Sequence, residues 1–114
     1  MHQNKYMHLI IYFFICLGLI QPQAYKISGV ILDAKTEKEL NDVNIYIQDT
    51  SFGTITDNRG IFQLFLEDYK DNHADINIKI IGYKEEIIHV DFSNNNVDLG
   101  RIFLKTQLLE MDVI

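Results

Sequence analysis

The chain has 114 residues, a formal net charge of -6 and a hydrophobic fraction of 47%. This length gives room for one domain around one core, and this hydrophobic fraction excludes a disordered or low-complexity protein. Asp and Glu number 16 against 10 Lys and Arg, which argues against a nucleic-acid binder, because such a protein needs a basic surface that displaces counterions from phosphates.

Residues 1–24 have the pattern of a secretory signal peptide that forms a short helix. Lys5 is followed by an uncharged apolar run, Met7–Ile20, which is shorter than the roughly 20 residues of a membrane-spanning helix. We predict cleavage after Ala24 and export of the remainder; an uncleaved N-terminal anchor is the alternative. The only cysteine, Cys16, lies inside the apolar run, so neither a lipoprotein nor a disulfide framework is predicted.

After the signal segment, apolar and polar residues alternate as they do in strands that bury one face. The alternating runs are Ile27–Leu32, Val43–Ile47, Phe62–Leu66, Ile76–Ile80, Ile88–Phe92 and Val97–Leu104. No run has a sustained helical period, and Lys35–Leu40 is long enough for only one helical turn. We therefore predict an all-β protein with about seven antiparallel strands in a β-sandwich.

Turn residues separate these runs. Asp57-Asn58-Arg59-Gly60 is predicted to form a tight turn, because Asp57 can accept a hydrogen bond from the backbone two residues on and Gly60 tolerates a positive φ. Asp68–Asp75 is predicted to be an acidic loop. Gly100 interrupts the alternation of the last run, and this break fits either a β-bulge or a plain glycine in an edge strand.

The exported part has no recognisable set of catalytic or metal-binding residues. Its serines lie in no nucleophile motif, and cysteine is absent from it. His73 and His89 are too few and too far apart in sequence for a zinc site. Asp68, Asp71 and Asp75 lack the spacing of an EF-hand, so a solvated loop is favoured over a calcium site. We predict no enzymatic activity, no metal and no cofactor.

Four short motifs along the exported part have a familiar order. Ile27–Asp33 contains G-V-I-L-D, and Leu40–Ile47 has Val43, Ile45 and Ile47 at alternate positions; Gly53–Phe62 reads G-T-I-T-D-N-R-G-I-F, and Ile81–Tyr83 reads I-G-Y. Together they resemble the carboxypeptidase regulatory-like domain family, over nearly the whole exported part. The motif residues are Gly29, Gly53, Thr56, Asp57, Gly60, Phe62, Gly82 and Tyr83.

The resemblance implies a transthyretin-like, seven-stranded antiparallel sandwich over residues 25–107, without catalytic residues of its own. Exported bacterial domains of this family often stand at the N-terminus of TonB-dependent outer-membrane transporters. The expectation is therefore a module of the periplasm or outer membrane that contacts envelope proteins, such as outer-membrane transport components. It is expected to touch the membrane only through the signal segment, if that segment is not cleaved.

The resemblance also implies structural roles for the motif residues. Gly53 and Gly60 are expected in turns that exclude a Cβ. Thr56 and Asp57 are expected to offer side-chain oxygens to the turn backbone. Phe62 is expected to fill the space between the sheets.

The last two motif residues and the tail complete the expectations. Gly82 is expected to allow a sharp strand exit, while Tyr83 packs its ring and its hydroxyl reaches a polar partner. Residues 108–114 are expected to be a frayed end or a strand for a partner's sheet edge.

A carbohydrate-binding or surface-adhesion module is the alternative function, with a stacking platform made of Tyr25, Tyr46, Phe52, Tyr69 and Tyr83.

Overall fold

The computed structural model describes residues 24–92 and 96–108. The predicted signal helix, except for Ala24, and most of the predicted tail lie outside these residues. The described part contains seven strands: β1 Ala24–Asp33, β2 Asn44–Ile47, β3 Gly53–Ile55, β4 Ile61–Glu67, β5 His73–Lys79, β6 Glu86–Asp91 and β7 Asn96–Leu104. Within it, no helix has the length and apolar character needed to cross a membrane.

The strands form two sheets, and the predicted seven-stranded sandwich is confirmed. One sheet has three strands in the order β4-β1-β7, and the other has four in the order β3-β2-β5-β6. Four of the five strand pairs in these sheets are antiparallel, whereas the pair of β1 with β7 is parallel, which departs from the predicted antiparallel order. Parallel neighbours need a long crossover connection. The chain provides one, because it passes through the four-stranded sheet before β7 returns beside β1.

The core lies between the sheets and is built from the alternating apolar residues. The side chains that are almost completely buried include Ile27, Ile31, Ile45, Leu64, Leu66, Ile76, Ile78 and Leu104. Phe62 is 1% exposed and pairs across β4 and β1 with Gly29. A Cβ at Gly29 would lie 2.8 Å from Cε1 of the Phe62 ring, so this glycine makes room for the ring.

β7 contains a β-bulge, one of the two forms that the sequence allows. Ser28 pairs with Asp98 and Val30 pairs with Arg101, so β7 has one residue more than β1 between these pairs. Gly100 lies in the bulge with a φ of 67°, and its N–H donates to the Asp98 carboxylate at 2.9 Å. The bulge therefore uses the backbone freedom that glycine alone has without steric cost.

Gly53 begins the short strand β3, and the expectation that it occupies a turn is incorrect. It pairs with Tyr46 of β2, and its φ is not positive. A Cβ at Gly53 would lie 3.3 Å from the Ile45 carbonyl oxygen and 3.4 Å from the Tyr46 Cβ. Close packing between two strands, and not turn geometry, accounts for the glycine here.

Candidate functional site

The Asp57 turn joins β3 to β4 and is held by its own side chain. One carboxylate oxygen of Asp57 accepts hydrogen bonds from the N–H groups of Ile61 at 3.0 Å and Arg59 at 2.9 Å. Both hydrogen bonds lower the pKa of Asp57, and the one from Ile61 has the larger effect. Gly60 has a φ of 74°, and a Cβ on it would lie 2.5 Å from the Ile31 carbonyl oxygen. The turn therefore requires glycine for both its conformation and its contact with β1.

Thr56 does not act on the turn beside it, which differs from the expected role. The residue is 1% exposed, and its hydroxyl accepts a hydrogen bond from the Val43 N–H at 2.9 Å and donates one to the Leu40 carbonyl at 2.7 Å. Its own N–H donates to the Val43 carbonyl, which extends the pairing of β3 with β2. This continued pairing directs the side chain towards the connection between β1 and β2.

The Asp33–Tyr83 hydrogen bond joins the two sheets. Tyr83 donates its hydroxyl hydrogen to Asp33 at 2.6 Å, across 50 positions in sequence. The other carboxylate oxygen of Asp33 accepts from the N–H groups of Lys35 at 2.7 Å and Thr36 at 2.8 Å. The Tyr83 hydroxyl, followed by the Thr36 and Lys35 N–H groups, lowers the pKa of Asp33 from 3.8 to about 2. The same hydrogen bond raises the pKa of Tyr83.

The backbone around Tyr83 explains how its ring reaches the first sheet. Gly82 has a φ of 91°, and the Tyr83 N–H donates to the Ile80 carbonyl at 3.2 Å, which closes a turn after β5. The segment after β7 runs beside this turn, because the Gln107 N–H donates to the Gly82 carbonyl at 2.9 Å. Tyr83 also forms an isolated antiparallel bridge with Thr106.

Sequence reasoning placed Asp33 in a motif but gave it no partner. A local signal was present, because an Asp that ends a strand before Lys and Thr is typical of a turn in which the carboxylate accepts backbone N–H groups. The pairing with Tyr83 had no local signal, since it depends on the two sheets facing each other.

The titratable groups singled out in the sequence come together only in part. His89 is exposed, and its Nδ1 atom contacts the Asp75 carboxylate across β5 and β6. His73 contacts the Asn72 side chain at 3.1 Å. A hollow of about 450 Å³ brings His73, Asp71 and Asp75 to one end of the sandwich, whereas Asp68 is not part of its lining. Across residues 24–92 and 96–108, no three His, Cys, Asp or Glu side chains are arranged to hold a metal ion.

The aromatic residues considered as a carbohydrate platform do not share an exposed surface. Tyr25 is 8% exposed and stacks on Phe92 with ring centres 4.5 Å apart. Tyr69 contacts Phe92 edge-on at 5.8 Å, and Phe52 contacts Tyr69 in the same way. These rings pack on one another in or against the core, whereas Tyr46 lies in β2, where its hydroxyl contacts Glu85. The structure therefore gives the platform no support.

Large apolar side chains are exposed on the outer face of the four-stranded sheet. Ile55 of β3 is 55% exposed and Ile87 of β6 is 52% exposed. Between them, the Tyr46 hydroxyl donates a hydrogen bond to Glu85 at 3.2 Å. The pKa of Tyr46 is raised mainly by burial and, to a lesser extent, by the negative charge of Glu85. Asn77 of β5 lies between its cross-strand partners, Tyr46 of β2 and Ile87 of β6, and is only 2% exposed.

Other exposed apolar side chains lie on the three-stranded sheet and at one end of the sandwich. Phe65 of β4 is 60% exposed, and Phe103 of β7 is 42% exposed. Ile81 and Leu108 are nearly fully exposed and flank the paired segments at Gly82 and Gln107. Single exposed apolar residues are ordinary on protein surfaces, whereas contiguous ones mark interaction sites.

Comparison with known proteins identifies one family. The family model described as the CarboxypepD_reg-like domain matches residues 27–114. This range includes every one of the motif residues and extends through the tail. No curated protein is significantly similar in sequence to the chain.

Solved structures share the fold at low sequence identity. Two are interface mutants of the type II cohesin–X-dockerin complex of Acetivibrio cellulolyticus. The first has a TM-score of 0.57 and is 19% identical, and the match covers 72% of this chain and 58% of that chain. The second has a TM-score of 0.53 and is 20% identical, and the match covers 68% of this chain and 52% of that chain. A third is 3-chlorocatechol 1,2-dioxygenase from Rhodococcus opacus 1CP. It has a TM-score of 0.53 and is 13% identical, and the match covers 76% of this chain and 61% of that chain.

The chain thus spans between half and two thirds of the length of these similar chains. At such identities the comparison establishes the fold alone. Because the similar structures include both a protein–protein complex and an enzyme, the shared fold does not by itself assign either class of function.

Proposed function

The chain belongs to the CarboxypepD_reg-like domain family, and from this premise we propose that it is a non-catalytic module that acts through protein–protein contacts in the cell envelope. The observation that carries the proposal is the use of the motif residues. Gly60, Asp57 and Thr56 complete backbone contacts, and Tyr83 joins the sheets through Asp33. Each of these residues therefore has a role in holding the fold together.

The surface supports contact with a protein better than it supports chemistry. Ile55 and Ile87 are each more than half exposed on one face of the four-stranded sheet, with Tyr46 between them. Interfaces favour aromatic and apolar groups in the centre of the patch and depletion of charge there. The proposal places a protein partner on this face.

The finer part of the proposal concerns location. The apolar run before Ala24 has the features of an export signal, and the family resemblance points to outer-membrane transport machinery. We therefore propose that the protein is exported and works at the periplasm or outer membrane, either alone or in front of a transporter plug.

Cell fractionation with cross-linking tests both parts. The full chain with a C-terminal epitope tag is expressed in its native host, treated with a cross-linker, and separated into cytoplasmic, periplasmic and membrane fractions. We expect the protein in the envelope fractions, joined to a discrete protein partner. A chain that stays soluble in the cytoplasm would contradict the proposed location.

A pair of variants tests the proposed contact face. A double variant that carries Ile55→Asp and Ile87→Asp is expected to abolish the cross-linked species, because burying unpaired carboxylates in an interface is costly. The matched control is Gln63→Asp, which adds charge at an exposed position of the other sheet. Equal loss of the species in both proteins, or retention in both, contradicts the assignment of the face.

A further inference from the structure

β7 is a nine-residue strand at the edge of the three-stranded sheet. Its inner side pairs with β1, and no other described strand pairs with its outer side. An edge strand presents unpaired N–H and C=O groups to any chain that approaches it. Val97, Leu99 and Ile102 of β7 pack against the core but are only partly buried, so this edge also leaves apolar surface uncovered.

The outer face of β7 carries two opposite charges. Asp98 and Arg101 are both exposed, and neither makes an ion pair with any residue in the described ranges. One oxygen of Asp98 accepts the Gly100 N–H, which leaves the second oxygen available. The Arg101 guanidinium lies 5.9 Å from the ring centre of Phe103, on the same outer face.

These features are complementary to themselves when two β7 strands run antiparallel. With a two-fold axis between Leu99 and Gly100, Asp98 of one copy lies opposite Arg101 of the other, and the reverse pair forms at the same time. In the same register, Val97 lies opposite Ile102. Cross-strand pairs of opposite charge and of β-branched residues are among those that stabilise sheets.

The β-bulge is what allows this register. In a regular strand, residues three apart point to opposite faces, so Asp98 and Arg101 would not share a face. The pairing with β1 shows that they do share one, because Asp98 lies beside Ser28 and Arg101 lies beside Val30, two positions further along β1. When both copies carry the bulge at the two-fold axis, their residues pair one to one.

We propose that β7 is a dimerisation strand, through which a second copy of this chain pairs antiparallel and joins two three-stranded sheets into one continuous sheet. Such an interface is isologous, with the same strand used on both copies. It covers the edge of β7 and pairs both of its free charges. The proposal does not depend on an envelope partner, since the outer face of the four-stranded sheet remains available.

Charge exchange across the interface tests the proposal. In sedimentation equilibrium of the full chain, we expect a reversible dimer. Asp98→Lys places like charge opposite Arg101, and Arg101→Glu places like charge opposite Asp98. Each variant is expected to raise the dimer dissociation constant about tenfold, because two attractive cross-strand pairs become repulsive.

Mixing the two variants distinguishes this register from a general effect of charge. In a mixed dimer the introduced lysine lies opposite the introduced glutamate, and the native Asp98 lies opposite the native Arg101. The mixture is therefore expected to associate more tightly than either variant alone. Asp91→Lys at the edge strand of the other sheet is the matched control and is expected to leave the dissociation constant unchanged.

Circular dichroism verifies that each variant retains its sheet content. Three results would overturn the proposal: an unmodified chain that is monomeric at every soluble concentration, a dimer indifferent to both substitutions, or a mixture that associates no more tightly than either variant alone.

Discussion

At the residue scale, the hydrogen bond between Asp33 and Tyr83 does two jobs. It joins strand β1 of one sheet to the connection after β5 of the other. It also favours the ionised form of Asp33, whose pKa falls to about 2. A carboxylate that accepts hydrogen bonds in the folded state ties stability to pH, because the unfolded chain binds its proton more tightly.

The first prediction is a change in the pH dependence of stability. The pKa of Asp33 is lower in the folded state, so its contribution is complete above pH 3.8 and is lost as the pH falls towards 2. The difference in unfolding free energy between the unmodified chain and Asp33→Asn should therefore be largest at neutral pH and shrink across this window. Urea unfolding at several pH values measures it.

Two further variants complete this experiment. Tyr83→Phe removes the largest cause of the low pKa and should move the Asp33 titration, followed by NMR of the carboxyl carbon, towards its ordinary range. Asp68→Asn, in an exposed loop, is the matched control. If Asp33→Asn destabilises the chain equally at pH 7 and pH 2, the assigned role of this carboxylate is contradicted.

The second prediction concerns Gly29. A Cβ at this position would press on the Phe62 ring at 2.8 Å and on the Gly100 carbonyl oxygen at 3.2 Å. Gly29→Ala should lower the unfolding free energy by about 1–3 kcal/mol, as overpacking of a core usually does. Calorimetry measures the loss, and Phe62→Leu in the same chain should reduce the effect of the alanine. Simple additivity of the two substitutions would argue against this contact as the cause.

At the scale of elements, Thr56 joins the end of β3 to the connection before β2. Its hydroxyl is both donor and acceptor, so it satisfies the Leu40 carbonyl and the Val43 N–H together. The local sequence does not reveal this role, because Thr56 and Leu40 are 16 positions apart and meet only once β2 and β3 have paired.

The third prediction separates the hydroxyl of Thr56 from its size. Thr56→Val keeps the shape but leaves a buried N–H group without its acceptor, which should cost about 1–3 kcal/mol of unfolding free energy. Thr56→Ser keeps the hydroxyl and should cost less. Urea unfolding compares the two, and exchange of the Val43 amide hydrogen should accelerate only in the valine variant. Similar losses in both would assign the effect to packing.

Six strands were predictable from alternation because each of them buries one face. β3 was not, because three residues, Gly53–Ile55, are too few to display a period of two and the glycine suggested a turn. The bulge in β7 left a visible break in the pattern, but the parallel pairing of β1 with β7 left none. Strand direction depends on the route through the other sheet, which is a property of the whole chain.

At the scale of the whole molecule, the motif residues build the sandwich and the sheet surfaces remain for contacts. The eight motif residues were all identifiable from the sequence, yet their partners were not. Gly60 approaches Ile31 because β4 pairs with β1 in one sheet, and Tyr83 approaches Asp33 because the two sheets face each other. The exposure of Ile55 and Ile87, on the two edge strands of the four-stranded sheet, also emerges only from the sheet as a whole.

The most direct test of this division is the unfolding free energy of Gly60→Ala. The residue has a φ of 74° and a contact that leaves no room for a Cβ, so the loss should be about 2 kcal/mol or more. Gly82→Ala is the comparison, because that glycine also has a positive φ but no atoms within 4 Å, and it should lose less. Unchanged stability in Gly60→Ala, together with loss of binding to a small molecule or partner, would contradict a structural role for the motif.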